Sequence, residues 1–300
     1  MSKMRLLITG SDGFTGRHLS LIAKARGYEV YPNLSDITEA QALGDEVRRI
    51  APTHVIHLAA ISAVTHAHEL DFYRVNVIGT DNLLKALATL PKSPEKVVHA
   101  SSANVYGNTT HSPIAEEHMP APVNHYAISK LAMEKLLHIH AERLPLVLVR
   151  PFNYTGVGHD SRFVIPKLIE HFSRHAPEIE LGNLFVEREF NDVRMVTDAY
   201  LRLLDAGRTG EIYNICTGKT YSPNQILQIL TGLTGQTPLI RVNPDYVRKN
   251  EILRLCGLPT KLISAIGGLK EFALSDTLRW MLSEAGSGVP AAMAAGGPTR

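Results

Sequence analysis

Glycines at positions 10, 13 and 16 stand between a short apolar run and a helical pattern near the start of the chain, in Thr9-Gly10-Ser11-Asp12-Gly13-Phe14-Thr15-Gly16. Arg5–Thr9 reads as a buried strand and Arg17–Arg26 as a helix stopped by Gly27. Glycine in such a turn lets the backbone come close to a diphosphate. The helix start behind it offers unpaired N–H groups and the positive end of its dipole. The spacing is Gly-x-x-Gly-x-x-Gly rather than the more familiar Gly-x-Gly-x-x-Gly. Placed after the first strand, it predicts a dinucleotide site formed by Gly10, Gly13, Phe14, Thr15 and Gly16, and a chain that begins β-α-β.

The alternation continues. Glu29–Tyr31 reads as a strand cut off by Pro32, Ala40–Ile50 as a helix, and Thr53–Leu58 as an apolar strand running into Ala59-Ala60. Apolar residues at helical spacing (Phe72, Val75, Ile78, Leu83, Leu84, Leu87) predict one helix over 71–90. Lys96–Ala100 is a strand, Tyr126–Glu142 a helix and Leu146–Arg150 a strand. The expected class is α/β: a doubly wound parallel Rossmann sheet with a smaller C-terminal α/β substrate-binding region. At roughly 150 residues per domain, 300 residues allow two domains, or one large α/β unit with an appendage. After Pro151 the Gly, Asn and Pro punctuation becomes denser. The expected division is 1–155 for the sheet domain, with 192–216 returning to it, and 156–191 plus 217–285 for the substrate region. Residues 286–300, rich in Gly, Ala and Pro, read as a disordered tail.

Composition closes off other classes. Lys+Arg 31 against Asp+Glu 29 gives +2, without the basic stripe of a nucleic-acid binder. Hydrophobic residues at 44% and charged residues at 20% are globular values. No apolar run reaches the roughly 18 residues that span a bilayer. The opening residues lack a signal-peptide cleavage pattern. Two cysteines, Cys216 and Cys256, cannot make a disulfide framework or a cysteine zinc site, and a cytoplasmic setting is expected. His138 and His140 lie two apart on a helix and face differently, and the carboxylates lack partners at metal spacing, so no metal is expected.

Two segments carry chemistry. Ser101-Ser102 follows a strand, and Tyr126-Ala127-Ile128-Ser129-Lys130 opens a helix. Tyr126 and Lys130 are four apart and share a face. An ammonium beside a phenol is expected to stabilise the phenolate and lower the tyrosine's pKa toward the range useful for proton transfer. Ser102 is placed to hold a substrate oxygen. No acidic residue ends the second strand, at Tyr31-Pro32-Asn33, where one would bind the adenosine ribose of NAD. Asp36, next to Ile37, is expected beside the adenine instead. The missing carboxylate removes a repulsion against a ribose phosphate and leans the expectation toward NADP over NAD.

Taken together, these motifs resemble those of extended short-chain dehydrogenase/reductases, the NAD-dependent epimerase/dehydratase family, from Met4 to about Leu282. The further marks are His57-Leu58-Ala59-Ala60, Asn76 in Val-Asn-Val-Ile-Gly-Thr, and Arg150-Pro151-Phe152-Asn153. The resemblance implies that Ser102, Tyr126 and Lys130 are catalytic. It implies that Leu58, Ala59, Ala60, Asn76 and Pro151 join the loop residues around the dinucleotide, and that Lys130 also holds the nicotinamide ribose. Within the family the chain is most similar to GDP-6-deoxy-D-mannose reductases, through 150–156, Phe163-Val164-Ile165-Pro166-Lys167, Glu180–Leu184 and Arg188-Glu189-Phe190-Asn191-Asp192-Val193. Tyr154 stands where those enzymes often have His. Asn153, Phe163, Lys167, Arg188 and Arg248 are expected at the sugar or diphosphate, for which a planar guanidinium suits well.

Dehydratases of this family place an Asp-Glu pair just after the catalytic hydroxyl residue. Here Ala103 and Asn104 stand there, and neither can protonate a leaving hydroxyl. GDP-fucose synthases need a cysteine beside the serines, and none lies near Ser102. The leading reading is an NAD(P)H-dependent reductase of a 4-keto-6-deoxy nucleotide sugar, GDP-4-keto-6-deoxy-D-mannose to GDP-D-rhamnose. The alternatives are a nucleotide-sugar 4-epimerase that retains its NAD, and a non-catalytic nucleotide-binding scaffold. Excess apolar residues on helices 71–90 and 126–142 (Leu131, Met133, Leu136, Leu137 and Ile139 on the second) point to a homodimer through a four-helix bundle, the arrangement such reductases commonly use.

Overall fold

The computed structural model describes residues 4–62, 68–247 and 252–286. Arg248 and the tail beyond 286 lie outside them. Strand and helix alternate through the first half: β1 (Arg5–Thr9), α1 (Phe14–Ala25), β2 (Glu29–Pro32), α2 (Ala40–Ile50), β3 (His54–His57), α3 (Glu69–Tyr73), α4 (Thr80–Ala88), β4 (Lys96–Ala100), α5 (His125–His140) and β5 (Leu146–Pro151). The second half adds β6 (Tyr154–Thr155), α6 (Val164–Ser173), β7 (Glu178–Leu181), β8 (Glu187–Glu189), β9 (Asn191–Asp192) and α7 (Val193–Ala206). It continues with β10 (Ile212–Ile215), β11 (Thr220–Tyr221), α8 (Pro223–Thr234), β12 (Leu239–Val242), β13 (Arg254–Leu255), α9 (Thr260–Ile266) and α10 (Leu274–Gly286).

Six strands form one sheet in the order β2-β1-β3-β4-β5-β10, and every pairing in it is parallel. Parallel strands are covered on both faces, which is why β1, β3, β4 and β5 are buried along nearly their whole length rather than at alternate residues. One face carries α1, α7 and α9, with Leu19, Met195, Tyr200 and Leu262 in its core. The other carries α2, α4 and α5, with Leu43, Val47, Leu83 and Met133. The chain steps to opposite sides of β1 through β2 and β3. That makes the crevice at the carboxyl ends of β1 and β3 a topological switch point, the place where such sheets bind ligands. A separate core of α6, α8 and α10 against the parallel pair β7 and β12 sits beyond β5. There, Ser222 and Gln225 close a reciprocal capping box around the start of α8, with Pro223 in the first turn.

Two sequence expectations need correction. The helix over 71–90 is not continuous: residues 74–79 widen into a π turn between α3 and α4. This turn holds Asn76, whose amide donates to Ser129 Oγ at 3.0 Å and whose Oδ1 accepts from the Ile61 N–H at 2.9 Å. Spacing of apolar residues cannot show such a bulge, because the buried face survives it. The apolar excess on α5 is also smaller than expected. Met133 and Leu137 are core residues, and Leu131 packs against the cluster around Phe152. Ile128 and Ile139 on α5 are exposed, as are Leu70 and Ile78 near them.

Candidate active site

The Ser101-Ser102 pair leaves β4 directly, and the sheet carries it on: the Ser101 N–H bonds the Val149 carbonyl at 2.8 Å. Ser101 is turned inward and donates to Glu134 on α5 at 2.5 Å. Glu134 also receives Arg150 through two bonds, Nε at 2.9 Å and Nη2 at 2.7 Å. Arg150, at the end of β5, further bonds Tyr106 Oη and the Glu116 carbonyl. This buried, fully bonded ion pair ties α5 to β4 and β5 under the site. It explains the Arg150 of the Arg-Pro-Phe-Asn run as a positioning group.

Asn124 starts α5 by accepting the Ala127 N–H at 2.9 Å, which sets Tyr126 on the helix's opening turn. Tyr126 and Ser102 line the same cleft. Ser102 Oγ accepts from Asn104, backbone N–H at 3.2 Å and Nδ2 at 3.1 Å. Burial pushes the Tyr126 phenol up to about 12, against a smaller downward pull from Ser102. Lys130 is buried, its Nζ donating to the Ala100 carbonyl at 2.7 Å, and burial brings it down to about 8. The expected lowering of the tyrosine by the lysine is therefore corrected. The ammonium is committed to the end of β4, and desolvation dominates the phenol.

The opposite wall is the glycine turn. Gly10 has φ +66°, and a Cβ on it would lie 2.8 Å from the Ala59 nitrogen. On Gly16 a Cβ would lie 2.1 Å from the Gly10 carbonyl oxygen. Both glycines are demanded by the protein's own backbone. Gly13 is different: its nearest neighbour would be the Gly10 oxygen at 3.3 Å. Gly13 is the N-cap of α1 and supplies no side-chain acceptor, and no acidic residue lies in the first turn. The amides at this helix start are thus left for an external anion, and the cradle fits a dinucleotide's diphosphate.

Between the walls lies a cleft of about 610 Å³. Gly10, Gly13, Phe14, Thr15, Gly16, Leu58, Ala60, Ser102, Tyr126, Lys130, Pro151, Asn153, Phe163 and Arg188 line it. Other expected residues stand behind or beside it. Ala59 backs Gly10, Ile37 is buried against Gly79, and Asn76 anchors the turn after β3 to α5. Asp36 sits on the surface, accepting the Thr38 N–H and hydroxyl. Lys167 does not reach the cleft: its Nζ donates to the Glu180 carbonyl at 2.8 Å and lies 4.5 Å from the Tyr246 ring centre.

Sequence reasoning missed the loop after β6. His159, Asp160 and Arg162 all line the cleft. Phe14 stacks on His159 at 4.4 Å, and His159 on Phe163 at 4.4 Å. Asp160 accepts from Arg162 Nε at 3.0 Å and Nη2 at 2.8 Å. Tyr154 Oη shares a 2.7 Å bond with Thr15 Oγ1. The dinucleotide turn is thereby clasped by the segment leading into α6. No local motif announces this, because the partners are about 140 residues apart in sequence.

A parallel doubly wound sheet with a glycine turn at its switch point, and a Ser-Tyr-Lys group across the cleft, defines a dinucleotide-dependent oxidoreductase. Residues 6–216 match the model of the NAD dependent epimerase/dehydratase family, and the chain belongs to that family. It is 34% identical over 269 residues to GDP-6-deoxy-D-talose 4-dehydrogenase of Aggregatibacter actinomycetemcomitans, covering 88% of this chain and 92% of that one. It is 34% identical over 295 residues to GDP-6-deoxy-D-mannose reductase of Pseudomonas aeruginosa, covering 93% and 96%. The solved structure of RMD from Pseudomonas aeruginosa complexed with NADPH superposes with a TM-score of 0.87 at 33% identity, over 96% of this chain and 99% of that one. The chain is an NAD(P)-dependent oxidoreductase.

Proposed function

We propose that this chain is a reductase that uses NAD(P)H to convert a 4-keto-6-deoxy nucleotide sugar, GDP-4-keto-6-deoxy-D-mannose, to GDP-D-rhamnose. The observation that carries this reading is that Ser102, Tyr126 and Lys130 line one cleft together with Gly10, Gly13 and Gly16 of the glycine cradle. Bound NAD(P)H supplies the hydride that adds to the sugar's C4 carbonyl carbon. Tyr126 Oη gives its proton to the carbonyl oxygen, and Ser102 holds that oxygen. A phenol held at about 12 stays protonated at neutral pH, the state a reduction needs. Lys130 keeps a positive charge beneath the group, and Asn153, Phe163 and Arg188 face the sugar diphosphate. Among the described cleft-lining residues Asp160 is the single carboxylate, and Arg162 holds it in a two-point pair. Among those residues that leaves no free acid for dehydration. Both relatives named above act on GDP-linked 6-deoxyhexoses by name, which supports GDP as the nucleotide.

The reading includes a homodimer through α3, α4 and α5, and residence in the cytoplasm. Both cysteines are free and buried, as a reducing setting allows. No helix among the described residues is long and apolar enough to cross a membrane. The experiment is to supply GDP-4-keto-6-deoxy-D-mannose and follow absorbance at the nicotinamide band, with the sugar's configuration read by NMR. One cofactor oxidised per sugar reduced, with rhamno product, is expected. A talo product would correct the stereochemistry. With GDP-D-rhamnose supplied in place of the ketone, inversion at C4 with no net cofactor change would replace the reductase by the epimerase.

A further inference from the structure

The residue that closes β2 decides how a Rossmann sheet treats the adenosine ribose, since an acid there binds the 2′-hydroxyl and repels a 2′-phosphate. Here that position is Asn33, about 20 residues past the glycine turn and paired through its N–H to the Ile8 carbonyl at 3.0 Å. Its side chain is neutral, but a carboxylate is present all the same. Glu46, from the middle of α2, reaches under the turn and is almost fully buried there. It accepts from Asn33 Nδ2 at 2.7 Å, the Leu34 N–H at 3.0 Å and the Ser35 N–H at 2.9 Å.

Two consequences follow from donor and acceptor arithmetic. The backbone amides of 34 and 35 are the donors a ribose phosphate would seek at this turn, and both are already used by an internal anion. The Asn33 amide is held by its nitrogen, which leaves its oxygen as the group available to accept from a ribose hydroxyl. Burial pushes the Glu46 carboxyl up. The Leu34 and Ser35 amides, the Ser35 hydroxyl and Asn33 outweigh that and bring it below its ordinary value, so it is charged at neutral pH. The cations nearby are exposed and engaged: Arg49 lies 3.8 Å from Glu46 itself, and Arg74 lies 3.9 Å from Glu39.

We propose that the Asn33–Glu46 pair makes this chain select NAD(H) over NADP(H), the carboxylate that sequence places on β2 in other NAD enzymes being delivered here from α2. This rests on the dinucleotide site described above, and direct binding separates the two. Titration calorimetry of NADH and NADPH into the full chain is expected to give NADH at least tenfold tighter. Raising salt should narrow that ratio, because a screened repulsion favours the phosphorylated form. Glu46→Gln, which keeps the shape and removes the charge, should narrow it by threefold or more. NADPH binding as tightly as NADH, or losing more affinity than NADH as salt rises, overturns the selectivity while leaving the dinucleotide site standing. A folded Glu46→Gln chain with an unchanged ratio overturns Glu46 as its cause. Should that variant not fold, the wild-type salt series decides alone. Binding of neither form would remove the site and this inference together.

Discussion

Tyr126, Lys130 and Arg188 carry predictions that separate chemistry from scaffolding. Tyr126→Phe keeps the ring against Phe72 and removes the proton donor. Turnover should fall on the order of a hundredfold or more, with dinucleotide affinity within about twofold. Near-normal turnover would remove Tyr126 from its role. Lys130 is brought down to about 8 by burial, so its charge is present below that pH and lost above it. A plot of kcat/KM for reduction against pH should be level up to about 8 and then fall. In Lys130→Arg that limb should vanish, because a guanidinium keeps its proton. An unchanged limb would assign it to another group. Arg188, which lines the cleft and donates to the Glu187 carbonyl at 2.9 Å, is expected to grip the diphosphate. Charge-assisted bonds are worth about 1.5–3 kcal/mol each, so Arg188→Ala should weaken GDP-sugar binding roughly tenfold to a hundredfold. Calorimetry with the melting curve alongside would separate this from a merely structural loss, in which stability falls and sugar affinity does not.

At the scale of elements, the turn between β1 and α1 divides its glycines by purpose. A Cβ on Gly16 would drive into the Gly10 carbonyl, so Gly16→Ala should cost about 1–3 kcal/mol of stability or more. Gly13 meets nothing closer than 3.3 Å and has φ −68°, a conformation any residue adopts. Gly13→Ala should therefore leave the melting temperature within about 2 °C while weakening dinucleotide binding roughly tenfold. Thermal melts and calorimetry on the two variants read both quantities; equal loss of stability would put Gly13 in the scaffold. The π turn at 74–79 belongs to this scale too. It aims Asn76 at both Ile61 and Ser129, so the turn after β3 and the helix carrying Tyr126 share one anchor. The His57 and His99 rings lie 4.5 Å apart and tilted by 40°, both held neutral by burial.

For the whole molecule, Ile128 and Ile139 of α5 remain exposed with Leu70 of α3 and Ile78 of the π turn, and a second copy of the chain is the proposed cover. Ile128→Glu with Ile139→Glu should turn a dimer mass into a monomer mass in light scattering. A monomer in the unmutated chain at micromolar concentration would end the idea. Much of the fold was legible in sequence because its signals are local. β1, α2 and β4 have the bounds that Arg5–Thr9, Ala40–Ile50 and Lys96–Ala100 suggested, through short apolar runs and helical spacing. The glycine turn and the i, i+4 spacing of Tyr126 and Lys130 are local as well. What sequence could not contain is any property made by elements meeting in space. Asn33 reads as the absence of an acid, yet α2 returns a carboxylate to that place. Tyr126 and Lys130 read as a mutually charging pair, yet desolvation and the Ala100 carbonyl set both of them. His159 and Arg162 carry no local signal in the sequence, yet His159 stacks on Phe14 of the glycine turn and both line the cleft. Spacing along a chain sets which groups share a strand or helix. Burial, and the partners that burial brings, set what those groups are able to do.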